Sequence, residues 1–224
     1  MKNIKFDKEF RFQNDLLNWW NKHKRDFPWR RTKDPYKLLI AEILLRKTTA
    51  EQVLPVYLDF INKYPTPEAL NHANVKDLEN LLKPLGMHKT RAQLLKKFAS
   101  SFLKLTTVGN ELSYSKLIKL PGIGTYSANA VLSLIYNKCV PMLDTNFIRI
   151  LNRVFNIKSS KTRPRNDPYL WEKAQKILPC DKAGNFNLAV LDFAALICKH
   201  KQPKCNECFA QNYCSYSQSS KKSK

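Results

Sequence analysis

Glycine is scarce: the chain of 224 residues has five, and two of them, Gly122 and Gly124, flank a single residue. That scarcity disfavours turn-rich sandwiches, collagen-like repeats and glycine-loop α/β folds. Strand-like alternation is nearly missing, and no apolar run approaches the roughly 18 residues that a membrane span requires. The opening stretch MKNIKFDKEF lacks an apolar signal core. Acidic side chains are also few, 18 against 39 Lys and Arg, which leaves a net charge of +21. With 43% hydrophobic and 11% aromatic residues, that charge belongs to a folded body and not to a disordered basic tail. The expectation is a soluble, intracellular, all-α protein. Such a surplus serves solubility, anionic lipid or phosphate, and neither a basic amphipathic anchor nor a lipidation signal is evident, so nucleic acid leads.

Apolar residues recur at spacings of three and four: Leu16, Leu17 and Trp20, then Leu38, Leu39 and Ile43, then Leu78, Leu81 and Leu82, then Leu94, Leu95 and Phe98. Breaks fall at Phe27-Pro28-Trp29, Asp34-Pro35, Tyr64-Pro65-Thr66-Pro67, Pro84-Leu85-Gly86 and Val108-Gly109-Asn110. About ten helices of modest length follow from this pattern. Residues 158–168 read as an exposed basic loop, and the Ser/Lys-rich residues 215–224 as a frayed, flexible tail.

Besides the cysteines, three places carry chemistry. In Leu120-Pro121-Gly122-Ile123-Gly124-Thr125-Tyr126, the two glycines permit a tight hairpin whose backbone N–H groups point outward beside the positive end of the following helix. It is either a phosphate seat or a plain helix–helix turn. A dinucleotide fingerprint fails, because Ser127 stands where its third glycine belongs and no strand precedes. Downstream, Val140-Pro141-Met142-Leu143-Asp144-Thr145-Asn146 leads into an amphipathic helix with Arg149 and Arg153 on another face, which puts Asp144 at or near an N-cap. Asp144 either only caps that helix or is kept ionised by the helix end to stabilise a cationic sugar or orient a water. Glu42 lies four after Leu38 and three before Leu45, on the apolar face of its helix, as a buried salt-bridge partner or as a pocket carboxylate.

The cysteines are the most specific signal. Cys198, Cys205, Cys208 and Cys214 are spaced C-x6-C-x2-C-x5-C, which suits a [4Fe-4S] cluster or a four-cysteine zinc site. The intervening loop is basic, with Lys199 and Lys201 placed to grip phosphate. Cys139 and Cys180 read as ordinary interior thiols, reduced in a cytosolic chain.

Taken in order, the Leu120–Tyr126 hairpin, Leu143-Asp144-Thr145-Asn146 and the cysteine spacing resemble the helix-hairpin-helix DNA glycosylases with an iron-sulfur cluster, the superfamily of endonuclease III and the adenine glycosylases. The likeness runs from about Asn14 to Cys214 and takes in Phe27-Pro28-Trp29-Arg30, residues 42–48 and Phe186-Asn187-Leu188 through Asp192. The resemblance implies a six-helix lobe over residues 27–137 and a cluster lobe from residues 1–26 plus 138–214, with double-stranded DNA held in a cleft between them. It implies that Asp144 is the catalytic aspartate. Members that also cut the strand carry, at the position of Tyr126, a lysine able to form a Schiff base; tyrosine cannot, so base removal without lyase activity is expected.

Adenine-removing members bear a small hydroxyl residue at the position of Tyr126, a glutamine at that of Leu188, and a further C-terminal domain that 224 residues cannot contain. Tyr126 with Glu42, Ala50 and Leu188 is instead similar to the branch that excises thymine or uracil opposite guanine. The implied substrate is duplex DNA with a G·T or G·U mismatch, the implied cofactor a [4Fe-4S] cluster, and the implied state a monomer in the cytoplasm at the nucleoid. Gly122, Ile123 and Gly124 would hold the backbone with Lys199 and Lys201, while side chains near Arg46, Lys47, Met87 and His88 fill the hole left by the extruded nucleotide. The readings set against this are an adenine mismatch glycosylase, a bifunctional glycosylase/lyase, a non-catalytic DNA-binding module and, more distantly, a redox carrier.

Overall fold

A computed structural model describes residues 3–106 and 112–222. The expected break at Val108-Gly109-Asn110 lies outside the described residues. Those residues form thirteen α-helices and four short 3-10 turns, and no helix among them is long and apolar enough to cross a membrane. The sequence pattern led to about ten helices; the surplus lies in short helices such as α2 (Pro28–Arg31) and α8 (Tyr114–Leu117), too brief to show a period. The chain divides into two compact units, one of Met1–Arg25 with Asn137–Lys224 and one of Asp26–Tyr136.

The unit Asp26–Tyr136 is built on α3 (Pro35–Leu44), which packs against α4 (Ala50–Lys63), α7 (His88–Thr106) and α9 (Thr125–Leu134). Its helices start where short polar side chains satisfy exposed backbone amides. Asp34 accepts from Tyr36 N, Thr49 forms a capping box with Gln52, and Thr66 and Asn74 cap α5 (Pro67–His72) and α6 (Val75–Leu82). Phe60, Phe98, Leu39, Ile43 and Leu78 are fully buried between them.

In the other unit, α1 (Asn3–His23) and α10 (Thr145–Phe155) both pack against α12 (Ala183–Leu196), and α11 (Pro168–Ile177) lies on α10. Phe12 meets Phe155, Phe186 and Phe193 edge-on at centroid distances of 5.3, 6.3 and 6.2 Å, a geometry aromatic rings favour. Asp192, fully buried, is tolerated because Trp20 Nε1 (2.8 Å), Arg25 N (3.1 Å) and Arg25 Nε (2.7 Å) all donate to it.

Two expectations are corrected here. The Ser/Lys-rich end is helical, as α13 (Ser215–Lys222), because Ser215 Oγ donates to Val154 O (3.1 Å), the Arg153 guanidinium lies 5.0 Å from the Tyr216 ring, and Ser217 is buried. Cys139 and Cys180 are not interior thiols: Cys180 is exposed, Cys139 half-buried, and they form a disulfide with Cα atoms 4.8 Å apart. The pair is 41 residues apart in sequence, so only the packing of the chain brings it together. Closing a loop of that length restricts the unfolded chain by roughly 4 kcal/mol. Thermal unfolding should therefore shift downward on adding reductant, and Cys139→Ser should show the same lowered midpoint with no further response to reductant.

Candidate functional site

The hairpin candidate forms as the spacing suggests. Gly122 has φ +79°, a conformation that favours glycine, and a Cβ there would also press on the Leu94 side chain at 3.0 Å. At Gly124 neither demand exists, since a Cβ would meet nothing within 4 Å. Ile123 turns inward and is buried, with its N–H on Leu120 O at 3.0 Å. Whereas Asp34, Thr49, Thr66, Asn74 and Ser113 cap the helices they precede, α9 starts at Gly124 with no side-chain cap, leaving its positive end for an outside acceptor.

Tyr126, on the first turn of α9, is half-buried. Its neighbour Ser127 is buried and donates to Glu42 Oε2 at 3.4 Å. Glu42 is half-buried, not fully interior, although Ala41, Ile43 and Leu44 beside it are fully buried. Arg46, just beyond that end, donates through Nη2 to the Gly122 carbonyl. Glu42, Arg46, the hairpin and Tyr126 thus belong to one unit, and Ala50, half-buried at the start of α4, to the same one. Lys47 and Met87 hold left-handed backbone at φ +55° and +52°, a conformation that costs a bulky residue energy and recurs at functional sites. Met87 is 55% exposed, and His88, half-buried, opens α7.

In the other unit, Asp144 is the N-cap of α10. Its Oδ1 accepts from Asn146 N (2.9 Å) and Phe147 N (2.8 Å), and its Oδ2 from Asn146 Nδ2 (2.6 Å). The amide of Asn146 is oriented in turn by Arg149, whose Nη2 donates to Asn146 Oδ1 (3.0 Å) and Ala194 O (3.0 Å), and whose Nε donates to Cys198 O (2.8 Å). The helix end is not the sole influence on the charge of Asp144. Burial raises the Asp144 pKa above the ordinary carboxylate value, and the donors from Phe147 and Asn146, with the charge of Arg165, pull it back only in part. Arg165 belongs to the basic loop, which is less open than its composition suggests: Asp167 is buried, accepts from Ser159 Oγ (2.6 Å) and caps α11, while Trp171 Nε1 donates to Arg165 O (2.8 Å).

Cys198, Cys205, Cys208 and Cys214 are free thiols lining one cavity with Arg153, Ile197 and Pro203. Arg153 holds the loop between the first two cysteines by donating to Lys199 O (2.6 Å) and His200 O (2.7 Å), and it lies 3.6 Å from Cys198 Sγ. Lys199 and Lys201 project from this loop and are exposed. Burial pushes the Cys208 thiol up to about 12. Among the described residues no three His, Cys, Asp or Glu side chains converge tightly enough to hold a single metal ion. Leu188, on α12, is 9% exposed. Sequence reading missed Asn146, Arg165 and Ser127; Asn146 and Arg149 do stand one helical turn apart after the cap, a spacing that could have flagged them.

A family described as HhH-GPD superfamily base excision DNA repair protein matches residues 40–176. The chain is 40% identical over 212 residues to a thymine/uracil-DNA glycosylase of Pyrobaculum aerophilum, covering 93% of this chain and 92% of that protein. It is 41% identical over 204 residues to a thymine-DNA glycosylase of Aeropyrum pernix, covering 90% and 92%. A solved structure of a thermostable thymine-DNA glycosylase superposes with a TM-score of 0.88 at 37% identity, over 95% of this chain and 98% of that one.

Because the folded pKa of Asp144 lies above its unfolded value, the carboxylate costs stability wherever it is ionised, at pH values above the ordinary carboxylate range. Asp144→Asn, which keeps a capping oxygen and drops the charge, should be at least as stable as the parent at pH 7. Asp144→Ala should lose about 1 kcal/mol of capping. Urea unfolding of the three proteins checks the order.

Proposed function

The chain belongs to the HhH-GPD superfamily of base excision DNA repair proteins, and we propose from this that it is a monofunctional DNA glycosylase that removes thymine or uracil mispaired with guanine. The observation that carries the proposal is Asp144: a half-buried carboxylate at a helix N-terminus, with both oxygens held by donors. A carboxylate so placed has no rotational freedom to lose and stands where a developing positive charge would be met. The names of relatives matching nine-tenths of this chain support thymine and uracil as the bases released.

In the proposed reaction the mismatched nucleotide leaves the stack, at lower cost than a paired one. The bond between C1′ of the sugar and N1 of the base breaks, the base departs with the bonding electron pair, and Asp144 stabilises the oxocarbenium-like sugar. Water then adds to C1′, loses a proton, and leaves an abasic site. Tyr126 offers a ring on which a pyrimidine stacks, and Glu42, with Arg46 and Ser127 beside it, accepts from the N3–H of thymine or uracil. By their resemblance to the thymine- and uracil-excising branch, Ala50 and Leu188 are each assigned an apolar contact with the base. Ile123 anchors the hairpin while Gly122 and Gly124 present backbone amides to a phosphate; Lys47, Met87 and His88 contact the strand, and Lys199 and Lys201 add charge.

The four free cysteines on one cavity suit a [4Fe-4S] cluster, each iron of which takes one thiolate. Cys198, Cys205, Cys208 and Cys214 would hold it, and it would supply a rigid frame for the basic loop 199–204. We place the protein in the cytoplasm, at the DNA, as a monomer.

Single-turnover reactions on G·T, G·U and G·A duplexes, followed by alkali, test the reading: thymine and uracil release is expected, with borohydride trapping no covalent adduct. Asp144→Asn should still bind the G·T duplex but release base at least about 100-fold more slowly. Full turnover by this variant would remove Asp144 from the reaction. The acid limb of the parent's rate profile should lie above the ordinary carboxylate range, since activity needs the ionised form and burial raises the pKa. Asn146→Ala, which deletes a donor to the charged form, should move that limb to higher pH.

A further inference from the structure

Arg91, a full turn into α7, is 5% exposed, and its partners are backbone carbonyls and one hydroxyl. Nε donates to Gly86 O (3.1 Å), Nη1 to Ile43 O (2.8 Å) and Leu44 O (3.2 Å), and Nη2 to Arg46 O (2.6 Å) and Thr48 Oγ1 (2.9 Å). All five N–H donors of the guanidinium are thereby used, in a fork of fixed shape. The acceptors come from three places: the end of α3, the turn 46–48 and the turn before α7. Arg46, whose carbonyl is held, reaches on to the Gly122 carbonyl of the hairpin. The two turns gripped by Arg91 are those with Lys47 at φ +55° and Met87 at φ +52°. Strained backbone of this kind persists only where its surroundings over-determine it, and Arg91 supplies that constraint.

We infer that Arg91 is a positioning residue that locks the turn 46–48, the turn 86–88 and, through Arg46, the Gly122 hairpin into one rigid DNA-contacting surface. By holding the carbonyls of Ile43 and Leu44 it also fixes the end of α3 that bears Glu42. The inference deepens the glycosylase reading and rests on it for its functional consequence. Lysine cannot replace Arg91, because an ammonium places three donors at one point and cannot span acceptors from three segments.

The test uses the full-length chain. Amide hydrogen exchange is followed in the parent, in Arg91→Lys and in Leu70→Ala, a cavity variant at the fully buried Leu70 of α5 chosen to lower thermal stability without touching the three segments. Exchange at residues 46–48, 86–88 and 122–124 should quicken in Arg91→Lys and not in Leu70→Ala. On a G·T duplex carrying 2-aminopurine beside the thymine, Arg91→Lys should lose the fluorescence rise that reports extrusion and should release thymine about 100-fold more slowly at saturating enzyme. Should Arg91→Lys not fold, Thr48→Val, which removes one of the five acceptors, should shift exchange and release in the same direction by less. Unchanged exchange in the three segments, or a rate loss no larger than that of Leu70→Ala, overturns the inference. A parent that releases no base from any mismatch sinks the glycosylase reading instead, and the exchange data then still decide whether Arg91 locks the segments.

Discussion

Charge buried against helix ends is the constraint on which this architecture rests. A chain with a net charge of +21 cannot neutralise its cations with its own carboxylates, so several that leave the surface terminate on backbone groups that a helix or turn exposes. Arg91 ends on the carbonyls closing α3, Arg149 on those of Ala194 and Cys198, and Arg153 on the loop after Cys198. Lys96 does the same for the carbonyls of Leu70, Asn71 and Ala73 at the end of α5. Asp144 is the mirror case, a carboxylate on two amides of a helix start. Such partners are fixed by secondary structure, so each charge inherits the rigidity of the element it closes.

That arrangement explains how one chain can be both strongly cationic and well ordered. Exposed cations such as Lys199 and Lys201 remain available to an anionic partner, while the buried ones are spent on shaping the segments that present them. The basic loop of residues 158–167 shows the same economy. Its cations face outward, yet Asp167 underneath is tied to Ser159 and to α11, and Trp171 holds the carbonyl of Arg165. The strain at Lys47 and Met87 is intelligible in this light, because a left-handed residue next to a fixed guanidinium has nowhere to relax.

Much of this was legible in the sequence. The cap at Asp144, the hairpin at Gly122 and the four clustered cysteines follow from local rules of turn chemistry and ligand spacing, which act over a few residues. What escaped depends on residues distant in sequence. Nothing local marks Arg91 as the partner of residues 43–48, and nothing local joins Cys139 to Cys180. Glu42 shows the limit of periodicity, which gave its face but not how much of it stays open to solvent among buried neighbours. At Ser215–Lys222 composition misled outright, because Ser215 is held by the carbonyl of Val154 and Tyr216 lies against the side chain of Arg153.

The Cys139–Cys180 bridge gives Asp144 a peculiar address. With the segment between them it makes a covalent ring that contains α10, the basic loop and α11. A protease that severs the backbone once anywhere inside that ring releases no fragment, and the cut ends stay tethered near their native neighbours. The aspartate is thus guarded against the ordinary outcome of a nick, for as long as the sulfurs remain joined.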